Sequence, residues 1–209
     1  MSRLQSYIER YKRLHDAVDA FKDGKGNLHY SAKLFDGKNF EEKLWKHVKP
    51  IIATGTSFSV LDYGCGKALH YHKPLIDGKS LVEQFGGKLR TFYLYDPGYE
   101  PYSEPPSYEP EYNMVFCADV MEHIPEEDVS SVLEDIEACT KHGALVFFSI
   151  AGAAAFKSFS DGENLHCTVK PINWWIEQIE ESGIVNFLIV HTDEKGEKTY
   201  KSEGYNASV

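Results

Sequence analysis

Apolar residues recur at three- and four-residue steps in the first stretch of the chain: Leu4, Tyr7, Ile8, Tyr11, Leu14, Val18 and Phe21. That spacing predicts an amphipathic helix over residues 4–21, stopped by Asp23-Gly24-Lys25-Gly26. A connector containing Tyr30 and Phe35 follows. A second helix is expected over residues 39–49, with Asn39 as its cap and Pro50 near its end. Beyond this point the pattern alternates. Short apolar runs at 58–61, 91–95, 113–117 and 144–150 read as strands, and the last is apolar enough for the middle of a parallel sheet. Helical stretches at 126–140 and 173–182 separate them, the second closed by Gly183. Residues 184–191 and 198–205 flank Asp193-Glu194-Lys195-Gly196 and read as an antiparallel hairpin.

Strands alternating with helices and ending in a hairpin predict a doubly wound α/β fold with a mostly parallel sheet. At 209 residues the chain suits a single domain, and no internal repeat divides it. Hydrophobic content of 42% and charged content of 26% are those of a globular protein. No run reaches the ~18–20 apolar residues of a membrane span, and the first residues lack a signal core, so a cytoplasmic protein with no membrane partner is expected. The net charge of −10 disfavours a nucleic-acid partner. Arg3, Arg10, Lys12 and Arg13 fit a solvated helix face. Cys65, Cys117, Cys139 and Cys167 form no Cys-x-x-Cys pair, so free thiols and no metal are expected.

In an open α/β sheet, ligands bind beyond the carboxyl ends of the strands. The first strand there runs into Asp62-Tyr63-Gly64-Cys65-Gly66, where the two glycines allow close backbone approach. The next strand ends at Asp96-Pro97, an acid placed to accept hydrogen bonds from a ribose diol. A dinucleotide-binding loop would carry a third glycine where Leu69 stands.

Three stretches carry a family resemblance: Val60-Leu61-Asp62-Tyr63-Gly64-Cys65-Gly66-Lys67, Tyr95-Asp96, and residues 112–124, which include Cys117-Ala118-Asp119 and Glu122-His123. Together they resemble the class I S-adenosylmethionine (SAM) methyltransferases, in the broad subfamily that acts on small molecules. The resemblance implies SAM as cofactor, with Asp62, Gly64, Cys65 and Gly66 on its methionine side and Asp96-Pro97 at the ribose. It sets the backbone of Cys117, Ala118 and Asp119 beside the sulfonium, and makes residues 1–38 a lid.

Three departures stand out. Ala68 replaces the family's third loop glycine. Asp62 and Asp96 lie 34 positions apart, against ~20 in the dinucleotide fingerprint. The segment from Asp96 to Asn113 is too short for a further helix, strand and adenine-reading acid, so the family's third strand is expected to be vestigial. The loop over residues 97–112 then covers the adenine. Its Glu104-Pro105-Pro106-Ser107-Tyr108 imitates an element of DNA amino-methyltransferases but precedes the strand it should follow, and reads as a solvated loop. Cys117 lacks the preceding proline of cytosine methyltransferases and reads as a small buried residue.

Methyl transfer requires alignment of an acceptor behind the methyl group, and a hydroxyl acceptor also needs a base. His123, His166 and Glu122 are the candidates. Structural roles for both histidines stay open, as does the choice between core packing and an acceptor floor for Trp174 and Trp175. The expected activity is SAM-dependent methylation of a small molecule, a sugar or metabolite, at oxygen or nitrogen. The alternative is a SAM-binding sensor or assembly partner without transferase activity.

Overall fold

A computed structural model describes residues 2–30, 35, 43–74, 78–109 and 112–208. Its main sheet has six strands: β3 (Phe58–Tyr63), β4 (Leu89–Tyr95), β5 (Tyr112–Ala118), β6 (Thr140–Ala151), β8 (Phe187–Asp193) and β9 (Gly196–Lys201). Their order is β4-β3-β5-β6-β8-β9, parallel except for the terminal β8–β9 hairpin. The doubly wound α/β fold and its hairpin are therefore as expected. Strand alternation sends successive side chains to opposite faces. Phe58, Val60, Leu145 and Phe147 enter one core layer with α2 (Trp45–Thr54) and α3 (Leu81–Phe85). Leu61, Val146, Phe148 and Ile150 enter the other with α4 (Val129–Cys139) and α5 (Ile172–Glu181). Both faces are covered, which explains the unbroken apolar run in β6. Burying each such large side chain contributes roughly 1.5–3 kcal/mol.

The N-terminal helix α1 (Arg3–His15) ends six residues earlier than the periodicity predicts. Ala17 takes a left-handed conformation (φ 53°). Phe21 leaves the helix for β1 (Phe21–Lys22), which pairs with β2 (Leu28–His29) and β7 (Ser158–Phe159) in a small antiparallel sheet. Val18, which extended the helical pattern, is exposed. Strand pairing with residues far along the chain overrides the local period here. The start of the expected second helix, residues 39–42, lies outside the described residues. α2 continues through Pro50 instead of ending beside it, because Ile51 and Ile52 are buried beyond the proline and hold the last turn against the sheet.

The turn after β3 leads into a 3₁₀ turn at Leu69–His72, and α3 follows before β4. Between β4 and β5 the described residues hold only a 3₁₀ turn at Glu100–Tyr102, so the expected loss of the third family strand is met. No described helix is long and apolar enough to cross a membrane. Arg3, Lys12 and Arg13 are exposed, as a solvated helix face requires, while Arg10 is half-buried. Arg10 pairs with Asp161 at 2.8 Å and with Glu163, Tyr7 bonds Glu163, and Arg3 pairs with Glu127 at 3.1 Å.

Candidate active site

A cavity of about 1350 Å³ opens at the carboxyl ends of the parallel strands. One side is built by the turn after β3. Gly64 (φ 83°) and Gly66 (φ 57°) are both left-handed, as is Ala68 (φ 50°) in place of the third glycine. The Tyr95 carbonyl at the end of β4 accepts from the Gly64 and Cys65 amides at 2.7 and 3.0 Å. Asp96 accepts from the Gly66 amide on Oδ2 and the Gly98 amide on Oδ1, each at 2.8 Å. The two strand ends are thus locked together by backbone donors.

The glycines were expected to be bare for a ligand. Both border the cavity, but the space a side chain would take is filled from within the protein. A Cβ at Gly66 would strike the Phe35 carbonyl, and one at Gly64 the Val120 side chain. The Lys67 amide donates to that same Phe35 carbonyl at 2.9 Å, and Lys67 Nζ donates to the His15 carbonyl at 2.7 Å. Phe35 and the end of α1 therefore pack directly on the glycine turn. Tyr30, the other aromatic of the connector, is exposed and does not border the cavity.

Asp62 is buried and accepts a 2.5 Å bond from Tyr71 Oη. Burial pushes its carboxyl up to about 7; the Tyr71 bond pulls it down and nearby Asp96 pushes it up. Asp96 is also raised by burial, against its two backbone donors. Burial likewise raises the Cys65 and Cys117 thiols, which removes both as nucleophiles. His15, held between Phe35 and Tyr99 at ring distances of 4.7 and 5.3 Å, reaches within 4.0 Å of Asp96. Burial, and then Lys67, lowers it to about 4, so it faces Asp96 as a neutral ring.

The Asp62 proton gives a first prediction. The folded state holds it up to about 7, far above the ~3.9 of an unfolded aspartate. Stability therefore falls as pH rises through that window, by a few kcal/mol. His15 and His123, lowered by burial, act oppositely between about pH 4 and 6.5. The comparison of wild type with Asp62→Asn isolates the carboxyl. Urea unfolding at pH 5 and 8 is expected to show wild type losing stability relative to the variant; parallel curves would contradict it.

The opposite side of the cavity is built after β5. Asp119 (φ 56°) accepts from Ser149 Oγ at 2.5 Å and from Lys43 Nζ at 2.9 Å on both oxygens. His123 sits in a 3₁₀ turn, Met121–His123, ahead of α4. Its Nδ1 lies 2.9 Å from the Leu165 carbonyl and 2.8 Å from Tyr11 Oη. A carbonyl only accepts, so Nδ1 carries the proton and the lone pair is on Nε2. His166, on the loop after β7, donates Nδ1–H to the Ala153 carbonyl at 2.7 Å. The two rings meet edge to face at 4.9 Å, and both border the cavity. Burial lowers both, His123 to about 4. At neutral pH they are uncharged imidazoles, and His123 is a weak proton acceptor.

Asp62, Cys65, Asp96 and Pro97 border the cavity on the first side, and Ala118 and Asp119 on the second. Cys117 and Glu122 do not. Strand alternation turns Cys117 into the core layer beside α4, and Glu122 is buried, with Oε1 accepting from the Ala151 amide at 3.0 Å. Trp174 and Trp175 also lie away from the cavity, Trp175 wholly buried in the α4–α5 layer. Core packing is the reading that stands. Tyr11, His15 and Lys43 also reach the site, from N-terminal segments that carry no local motif to mark them.

Residues 8–188 match a family model described as a methyltransferase domain. The chain belongs to that family, and its mostly parallel α/β sheet with a terminal hairpin is the fold expected of a class I methyltransferase. No curated protein and no solved structure matches it.

Proposed function

We propose that this chain binds SAM across the glycine turn and transfers its methyl group to oxygen or nitrogen of a small molecule. The observation that carries the reading is the cavity's size and division. Its volume of about 1350 Å³ exceeds the roughly 300–1,000 Å³ of an ordinary ligand pocket. It therefore has room for a cofactor and an acceptor together. One end is acidic, with Asp62 and Asp96, and the other carries the paired imidazoles of His123 and His166.

SAM supplies an electrophilic methyl on a positively charged sulfur. In the proposed pose Asp62 meets the cofactor's ammonium end and Asp96 its ribose hydroxyls, while Ala118 and Asp119 flank the sulfur. Asp96 can accept further bonds because each oxygen has one backbone donor and a remaining lone pair. The acceptor then lies toward His123 and His166, whose Nε2 lone pairs orient its O–H or N–H. Residues 1–38 act as the lid, with α1 fastened to the far loop by Arg10 and Tyr7, and Phe35 seated on Gly66. Residues 1, 31–34 and 36–38 of that lid lie outside the described residues. A cytoplasmic location and a small-molecule acceptor suit an acidic chain of this size.

The test is incubation with methyl-labelled SAM and a metabolite pool, following S-adenosylhomocysteine (SAH) and labelled product by mass spectrometry. Label transfer with stoichiometric SAH is expected. Binding without turnover across the pool would overturn the transferase reading, and absence of SAH binding would overturn the cofactor assignment.

A further inference from the structure

One buried acid is left without a use by this reading. Glu122 is fully buried, and while Oε1 accepts from the Ala151 amide, Oε2 has no hydrogen-bond partner among the described residues. Buried polar atoms without partners are few in folded proteins, and each marks something missing from the picture. Beside it stand His123 and His166. One ligating atom from each of the three residues lies within 4.8 Å of the others.

We propose that Glu122, His123 and His166 bind one divalent transition-metal ion at the floor of the acceptor side. Three features converge on this. Both histidines donate Nδ1–H to backbone carbonyls, Leu165 and Ala153, which fixes the rings and leaves Nε2 as the free donor. Donation of the other ring N–H to a backbone carbonyl is the arrangement metal-bound histidines use. The unpartnered Glu122 oxygen supplies the third ligand. Lys43, the nearby cation, is paired through Asp119 at 2.9 Å and so does not stand as an uncompensated charge against an ion.

Two imidazoles and one carboxylate suit zinc, cobalt, iron or manganese better than magnesium or calcium, which favour oxygen donors. An ion holding ligands at about 2.1 Å sets tetrahedral neighbours about 3.4 Å apart. The observed cluster closes around one with side-chain shifts on the order of 1 Å. Three protein ligands leave a position open, and it faces the cavity because both histidines line it. An acceptor oxygen taking that position is held and polarised, and the two Nε2 lone pairs then act on the acceptor through the ion. This use of the ion rests on the methyl-transfer reading; the binding of the ion does not.

The experiment uses the full chain, stripped with chelator and without SAM or SAH. Titration with cobalt(II) chloride is expected to bind one equivalent and to raise visible ligand-field absorption, and zinc chloride is expected to displace it. Glu122→Gln, His123→Gln and His166→Gln should each weaken cobalt binding at least tenfold, while His142→Gln, at the opposite end of β6, leaves it unchanged. Because a variant at a buried position can unfold, wild-type imidazole ¹⁵N resonances are followed with zinc as well. Shifts at His123 and His166 Nε2 are expected. No binding at millimolar metal, equal affinity for magnesium, or resonances of both histidines that do not move would overturn the site. Metal binding is read without SAM, and SAH affinity is measured separately on the stripped chain, so failure of either leaves the other readable.

Discussion

Gly66→Val is expected to cost at least a hundredfold in SAH affinity while the main sheet stays folded. Three effects act together at this position. The backbone is left-handed (φ 57°), which costs a side chain about 1–2 kcal/mol. A β-branched residue is the least tolerant of that conformation. The new Cβ would run into the Phe35 carbonyl, which is backbone and cannot rotate aside as a side chain would. Phe35 must lift from the turn, breaking the Lys67–Phe35 bond of 2.9 Å. Relief of such overpacking typically costs 1–3 kcal/mol. The turn lies outside the strand ladder, so far-ultraviolet circular dichroism should be preserved. Calorimetry with SAH measures the loss, and wild-type affinity in a folded variant would refute the placement of the cofactor on this turn.

Asp96→Ala is expected to have the second large effect, and to divide it between binding and stability. The carboxylate accepts two amide bonds, from Gly66 and Gly98, at 2.8 Å. In the proposed pose it also accepts from the ribose hydroxyls. Charge-assisted bonds are worth about 1.5–3 kcal/mol each, so SAH affinity should fall by about 3 kcal/mol or more. The unpartnered amides should lower stability by about 1–3 kcal/mol. Asp96→Asn retains one acceptor oxygen and should fall between. Paired measurement of SAH affinity and urea midpoint separates the two roles. A folded Asp96→Ala variant with unchanged affinity would remove Asp96 from the ribose site.

The sheet was readable because each strand is a short apolar run whose face is set by neighbours on both sides. β6, with Leu145 to Phe148 wholly buried, is the clearest case. The turn from Tyr63 to Gly66 was readable because only glycine enters the left-handed region freely. The end of α1 was not. Val18 and Phe21 continue the helical period, and what overrides it is pairing of Phe21 with Phe159, 138 positions away in the chain. Two-residue strands carry no period of their own. His123 and His166 were each readable as polar residues after strand ends. Their junction with Glu122 was not, because a ligand set divided between two loops leaves no local spacing. The same holds for Tyr11, which reaches the Leu165 carbonyl and His123 from α1.

The missing third family strand has a consequence for how the molecule keeps to itself. Among the described residues β4 is the last strand on its side of the sheet. An outer strand offers unpaired amides and carbonyls on which another chain can build by edge-to-edge pairing. At the far edge, β9 carries Lys198 and Lys201, charges that discourage such pairing. β4 carries Leu89, Phe92, Tyr93, Leu94 and Tyr95, a sequence with high strand propensity and only Arg90 as a charge. Tyr93 Oη donates to the Glu104 and Pro105 carbonyls at 3.2 and 3.3 Å, fastening the loop beside β4. Pro105 and Pro106 have no amide hydrogen and cannot themselves extend a ladder. Prolines beside an open edge make a poor template for an added strand, so the region left by the missing family strand is expected to disfavour edge-to-edge association even though β4 itself carries little charge.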